Sequence, residues 1–98
     1  MKARWMGENI GNGFEVIEAE PGNIGRGAEN WHNYLLVCCP VCHRLHVVDE
    51  RWKFDRGALT LTPSVKCEGH RGVCHWNLTN GEFIVHADST AKPVKEQP

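Results

Sequence analysis

The chain has no long apolar run. No stretch approaches the roughly 20 apolar residues that a membrane-crossing helix needs. Met1-Lys2-Ala3-Arg4-Trp5 leads into Gly7, Glu8 and Asn9, not into the apolar segment of a secretion signal. A reducing, cytoplasmic setting is therefore expected, and with it metal binding in preference to disulfides for the cysteines. Charge of one sign is missing too. Eleven Lys and Arg face twelve Asp and Glu, for a formal charge of −1, which argues against a strongly electrostatic nucleic-acid binder. No segment carries a convincing amphipathic helical period. Two metalloenzyme signatures are absent as well. No histidine is followed two residues later by glutamate, as zinc deaminases require, and no His-Glu-x-x-His occurs.

Ninety-eight residues make one domain, with a core that buries only roughly 60–65% of the surface exposed on unfolding. Such a core is marginal, so a metal staple is physically plausible. Residues 1–30 are punctuated by Gly7, Gly11, Gly13, Gly22, Gly25 and Gly27 and read as loops around one strand-like run, Phe14 to Ala19. Gly11-Asn12-Gly13 is read as a turn, not as a phosphate cradle, because no helical pattern follows it.

Beyond His32 the pattern is β. Tyr34 to Cys38 runs into a cysteine turn, and His46-Val47-Val48 leaves it as the second arm of a hairpin. Arg51 to Phe54 and Leu59 to Thr62 alternate, the latter ending before Pro63. His75 to Leu78 and Glu82 to His86 flank Asn80-Gly81, the preferred pair for a two-residue turn with positive φ at both centres. The expected class is all-β: antiparallel hairpins around a zinc-ribbon-like structural metal site, with a loop-rich N-terminus. Residues 1–88 form the single domain and residues 89–98 a disordered tail.

Two cysteine pairs carry the chemistry. Cys39-Pro40-Val41-Cys42 has the spacing of a knuckle whose backbone N–H groups point at the thiolates. Cys38 could take the place of Cys39, but strand alternation points it away, into the core. The second pair is Cys67 with Cys74, on a stretch whose Gly69 and Gly72 would let a loop wrap an ion. The candidate ligands of a zinc ion are thus Cys39, Cys42, Cys67 and Cys74. His70 is the chief substitute, at Cys-x-x-His spacing from Cys67, and His75 a further one. His46, four residues after Cys42, is within reach but reads as a strand residue. The bland alternative is two buried or disulfide-bonded pairs without metal.

A filled four-thiolate site leaves no position for water or substrate, so the expected centre is structural and no catalytic residue is assigned. Arg44, Lys66 and Arg71, with Trp52, Phe54 and Trp76 nearby, permit a nucleic-acid reading. The competing reading, cations drawn to a dianionic thiolate centre and aromatics needed for the core, is the stronger. A metal-dependent hydrolase with an incomplete thiolate set is the third possibility.

From Val37 to about Thr90 the sequence resembles a family of small tailed-phage zinc-knuckle proteins of unassigned function, often auto-labelled "ammonia monooxygenase". The resemblance rests on Cys39-Pro40-Val41-Cys42 with His46 after it, Trp52-Lys53-Phe54-Asp55, Leu59 to Val65, Cys74-His75-Trp76, and Asn80-Gly81-Glu82-Phe83. It implies a phage or prophage origin, a host cytoplasmic location and a zinc site including Cys39, Cys42 and Cys74. It supplies no activity. Many members close with Asp-Cys-Thr-His where this chain has Asp88-Ser89-Thr90-Ala91, which leaves Cys67 or His70 to complete the site. The expected partner is a host or phage protein, bound without catalysis and in one form inhibited; nucleic acid is the alternative.

Overall fold

The structure is a computed structural model that describes residues 1–69 and 72–89. Among the described residues, eight strands form two four-stranded sheets. The first is built from β1 (Arg4–Trp5), β2 (Asn23–Arg26), β3 (Leu35–Cys38) and β4 (Leu45–Val48), in that order. β1 runs parallel to β2, and the other neighbours are antiparallel. The second is an antiparallel meander of β5 (Lys53–Asp55), β6 (Thr60–Gly69), β7 (Gly72–Thr79) and β8 (Glu82–Val85). The β-rich class expected from the hydrophobic patterning is the observed one.

Alternation along β3 and β7 decides where the core lies. In β7, Cys74, Trp76 and Leu78 are buried while Val73, His75 and Asn77 are only partly covered, the period-2 pattern of a strand with one wet face. In β3, Leu35 and Val37 turn to one side and join Ile24, Val41 and Val48 against Leu61, Val65, Trp76, Leu78 and Phe83 of the second sheet. Trp76 is fully buried, edge-on to Phe83 at 5.1 Å between ring centroids. Leu36 and Cys38 turn the other way, into a smaller cluster with Ile17. Every residue of β3 is therefore buried, because the strand is covered on both faces.

The cover on the second face is α1 (Gly13–Glu18), and it corrects the strand expected over Phe14 to Ala19. The residues buried on this six-residue helix are Gly13 and Ile17, one turn apart, and a Cβ at Gly13 would stand 2.6 Å from Leu36 Cδ1. Packing against β3 supplies what local periodicity did not signal. A helix thus does follow Gly11-Asn12-Gly13, but one of six residues has too few aligned peptides to make a phosphate site. Buried Asn23 secures the junction: its amide nitrogen donates to the Val16 carbonyl at 3.1 Å, and its Oδ1 accepts from Arg4 Nε at 2.9 Å.

β6 does not stop at Pro63. It continues to Gly69 with a shift of register between Leu61, paired with Leu78, and Val65, paired with Trp76. The irregularity accommodates the proline, which has no N–H to give to a ladder. At the far end of the hairpin Asn80 (φ 49°) and Gly81 (φ 79°) form the two-residue turn that the sequence announces. Of the expected tail, Ser89 exchanges hydrogen bonds with the backbone of His75, and residues 90–98 lie outside the described residues. No helix among the described residues is long and apolar enough to cross a membrane.

Candidate metal centre

The turn between β3 and β4 is a knuckle closed by its own backbone. Cys39 N–H donates to the Arg44 carbonyl at 2.9 Å and His43 N–H to the Cys39 carbonyl at 3.1 Å. His43 takes φ of 60° to make the bend, a conformation in which histidine is enriched among non-glycine residues. Inside the turn the N–H groups of Val41 and Cys42 both point at Cys39 Sγ, each at 3.4 Å. Leu45–Val48 then returns antiparallel to β3, which sets His46 opposite Val37.

The second sheet supplies the other sulfurs, from a strand ladder and not from a loop. Cys67 and Cys74 were expected on a wrapping loop. They are instead directly opposed residues of the β6–β7 ladder, which continues to Gly69 opposite Gly72. Opposed residues of an antiparallel pair project to the same face, and here that face is the core side. Cys67 Sγ reaches across to Cys39 Sγ at 3.9 Å and to Cys42 Sγ at 3.8 Å. All five cysteines are free thiols.

One ligand atom each from Cys39, Cys42, His46 and Cys67 lies within 4.8 Å of all the others, a group able to hold a metal ion. Cys74 adjoins it, opposite Cys67 in the ladder and near enough to Cys42 and Cys67 to act on their thiol pKa values. Four donors from the knuckle, β4 and β6 thus converge at one end of the core, with Cys74 of β7 beside them. His46 is both the strand residue expected and a member of the donor group. Its Nε2 is buried with no hydrogen-bond partner of normal geometry, a costly state for an imidazole unless something else binds it. The spacing Cys39-x-x-Cys42-x-x-x-His46 was the available signal.

The other sequence candidates fall elsewhere. His75 follows Cys74 and so faces the opposite side of β7, away from the sulfurs. His70 and Arg71 lie outside the described residues. Cys38 is fully buried with Ile17 and Leu36 on the far face of β3, and burial, seconded by the charge of Cys39, pushes its thiol pKa up to about 12. It is a small apolar side chain.

The electrostatics divide the sulfurs in two. Burial opposes charge on Cys39 and Cys42, but donors outweigh it and hold both thiols below the ordinary value. For Cys39 these are His46 and the N–H groups of Cys42 and Val41. For Cys42 they are the Arg44 N–H and the neighbouring thiols. Cys67 is driven the other way by burial, by its hydrogen bond to Cys74 and by the charges of Cys39 and Cys42. Burial and the same two charges push Cys74 to about 12. Charge is thus favoured on Cys39 and Cys42 and opposed on Cys67 and Cys74, where a bound cation would favour it. A cavity of about 240 Å³ lined by Cys42, Arg44, Leu45, His46 and Cys67 opens beside the group.

The aromatics flanking these turns are engaged in packing. Trp5 stacks on Phe54 at 5.7 Å, and the Arg56 guanidinium lies over the Trp5 ring at 5.1 Å. Trp52 Nε1 donates to the Ser64 carbonyl at 3.3 Å.

No family model, curated protein or solved structure matches this chain.

Proposed function

We propose that this protein is a zinc-stabilised β domain that acts by binding another protein, as a phage accessory factor directed at a host or phage component, and that it catalyses no reaction. The observation that carries the metal half of the reading is a distance. Ligands about 2.3 Å from a tetrahedral zinc ion stand about 3.8 Å from one another, and the two sulfur pairs of the group are 3.8 and 3.9 Å apart. Thiolate-rich donor sets favour zinc over the hard divalent ions, which take oxygen. With Cys39, Cys42 and Cys67 in place, either His46 or Cys74 completes four ligands, and a complete shell is structural.

A protein partner is favoured over nucleic acid by the near-neutral charge and by the occupation of the aromatics. Trp76 is in the core, and Trp5 stacks on Phe54 with Arg56 over its ring, so these rings already have partners other than bases. Phe14, Val47, Ile84 and Val85 are large apolar side chains left at least 46% exposed, the kind of surface that protein contacts use.

Cobalt(II) substitution followed by partner capture tests both halves. The cobalt protein should show the intense sulfur-to-metal charge-transfer bands of a tetrahedral thiolate-rich site, and Cys74→Ser and His46→Ala should differ in how far they weaken those bands. The loaded protein should capture one defined protein from bacterial lysate at a level insensitive to salt. Weak bands from a site holding exchangeable water contradict the structural centre. Salt-steep binding to nucleic acid contradicts the protein partner.

A further inference from the structure

The outer face of the β7–β8 hairpin carries a second group of potential ligands, on the opposite side of the sheet from the cysteines. His75 in β7 and His86 just beyond β8 are neighbours across the strands. His86 N–H donates to the His75 carbonyl at 2.7 Å, and the rings stack at 4.1 Å between centroids with 14° between their planes. Asp88 closes the group: its two oxygens accept from His75 Nδ1 at 2.9 and 3.1 Å. One ligand atom from each of the three lies within 4.8 Å of the other two.

Two further contacts fix which nitrogens are available. His75 Nε2 is hydrogen-bonded to Ser64 Oγ at 2.8 Å. His86 Nε2 is bonded to Asn77 Oδ1. A carbonyl oxygen only accepts, so His86 Nε2 carries the proton and Nδ1 carries the lone pair. A carboxylate likewise only accepts, so His75 donates from Nδ1 to Asp88. That hydrogen bond holds the Asp88 carboxyl below its usual range. Each imidazole is thus held at Nε2 by a polar side chain, the kind of outer contact that orients metal-binding histidines, which leaves Nδ1 as the nitrogen for an ion.

We propose that His75 and His86, through Nδ1, and Asp88, through a carboxylate oxygen, form a second divalent transition-metal site, separate from the cysteine centre. Two imidazoles and a carboxylate suit zinc, nickel or cobalt and leave at least one position for solvent. Loading is balanced in protons. The ion takes Nδ1 of the neutral His75 ring after a tautomer shift: the proton leaves Nδ1, one is taken up at Nε2 with no net release, and the new Nε2–H donates to Ser64 Oγ. His86 already has its lone pair at Nδ1 and loses no proton. The ligands must close from at most 4.8 Å to the roughly 3.4 Å edge of a tetrahedral site with bonds of about 2.1 Å, a rotation of partly exposed rings. Lys66 stands opposite His75 in β6, and its charge makes this the weaker of the two sites.

The test uses full-length protein with its cysteine centre loaded with zinc and then desalted. It is dialysed against nickel(II), with metal quantified per chain and histidine imidazole nitrogens followed by NMR. The expected result is one bound nickel per chain, with shifts at the Nδ1 atoms of His75 and His86. Asp88→Asn and His86→Ala should each weaken nickel binding at least tenfold while zinc content and melting temperature stay as in the parent. Ser64→Ala, which removes no ligand, should weaken it by roughly ten- to a hundredfold. His86→Gln serves as the second variant if His86→Ala does not fold. No nickel bound at millimolar concentration by folded protein would overturn the proposal. So would nickel that shifts His32 or His43 instead, or affinity unchanged in both ligand variants.

Discussion

Adjacent cysteines in this chain have opposite chemistry because a strand alternates. Cys38 turns under α1 and stays a neutral thiol, with its pKa raised to about 12. Cys39 turns to the core end where Val41 and Cys42 N–H groups and His46 support its charge. Cys39→Ser should therefore abolish metal binding and leave the chain unfolded or aggregated. Cys38→Ser should stay folded and metal-loaded, with stability lowered by about 1–3 kcal/mol for the buried hydroxyl. Metal content and circular dichroism of the two variants check this, and equal damage would contradict the ligand register. The knuckle was legible because Cys-x-x-Cys spacing is a local property. The place of Cys67 opposite Cys74 was not, since two glycines in eight residues read as a loop and a ladder rung is a non-local pairing. His46 was legible as a strand residue, but its buried Nε2 beside the sulfurs is a property of packing alone.

Strands and turns were read from their local chemistry where that chemistry is strong. Asn80-Gly81 is the clearest case, both residues adopting the positive φ that the turn requires. α1 was missed because six residues with one buried turn carry too short a period to tell from imperfect alternation; the helix is fixed by Leu36 beneath it. The extension of β6 past Pro63 was missed because a bulge, invisible in composition, lets the strand pass. The glycines of residues 1–30 are not equivalent. A Cβ at Gly27 would stand 2.5 Å from Trp31 Cβ, on a rigid part of that side chain, whereas one at Gly11 would meet nothing within 4 Å. Gly27→Ala should cost about 1–3 kcal/mol as the loop around Trp31 is displaced. Gly11→Ala should change stability by no more than about 1 kcal/mol. Urea unfolding of the two metal-loaded variants checks the contrast, and equal midpoints would mean that the region around Gly27 yields freely.

The two sheets share one core, and the donor group lies where they meet. Cys39, Cys42 and His46 come from the β3–β4 hairpin, Cys67 and Cys74 from the β6–β7 hairpin. A metal there ties together elements more than twenty residues apart in the chain. Zinc binding to small thiolate sites is worth roughly 10–16 kcal/mol, as much as the whole net stability of a typical domain, roughly 5–15 kcal/mol. In a 98-residue chain with a limited core, loss of the ion should therefore undo the fold. It should do more than loosen one end. The most direct measurement is the metal content of native, desalted protein, with its circular dichroism and tryptophan fluorescence recorded before and after chelation under reducing conditions. The account predicts one tightly held zinc ion per chain, collapse of the β signal and exposure of Trp76 when it is removed, and recovery when zinc is restored. A protein that carries no stoichiometric metal, or one that keeps both signals unchanged in excess chelator, would contradict it.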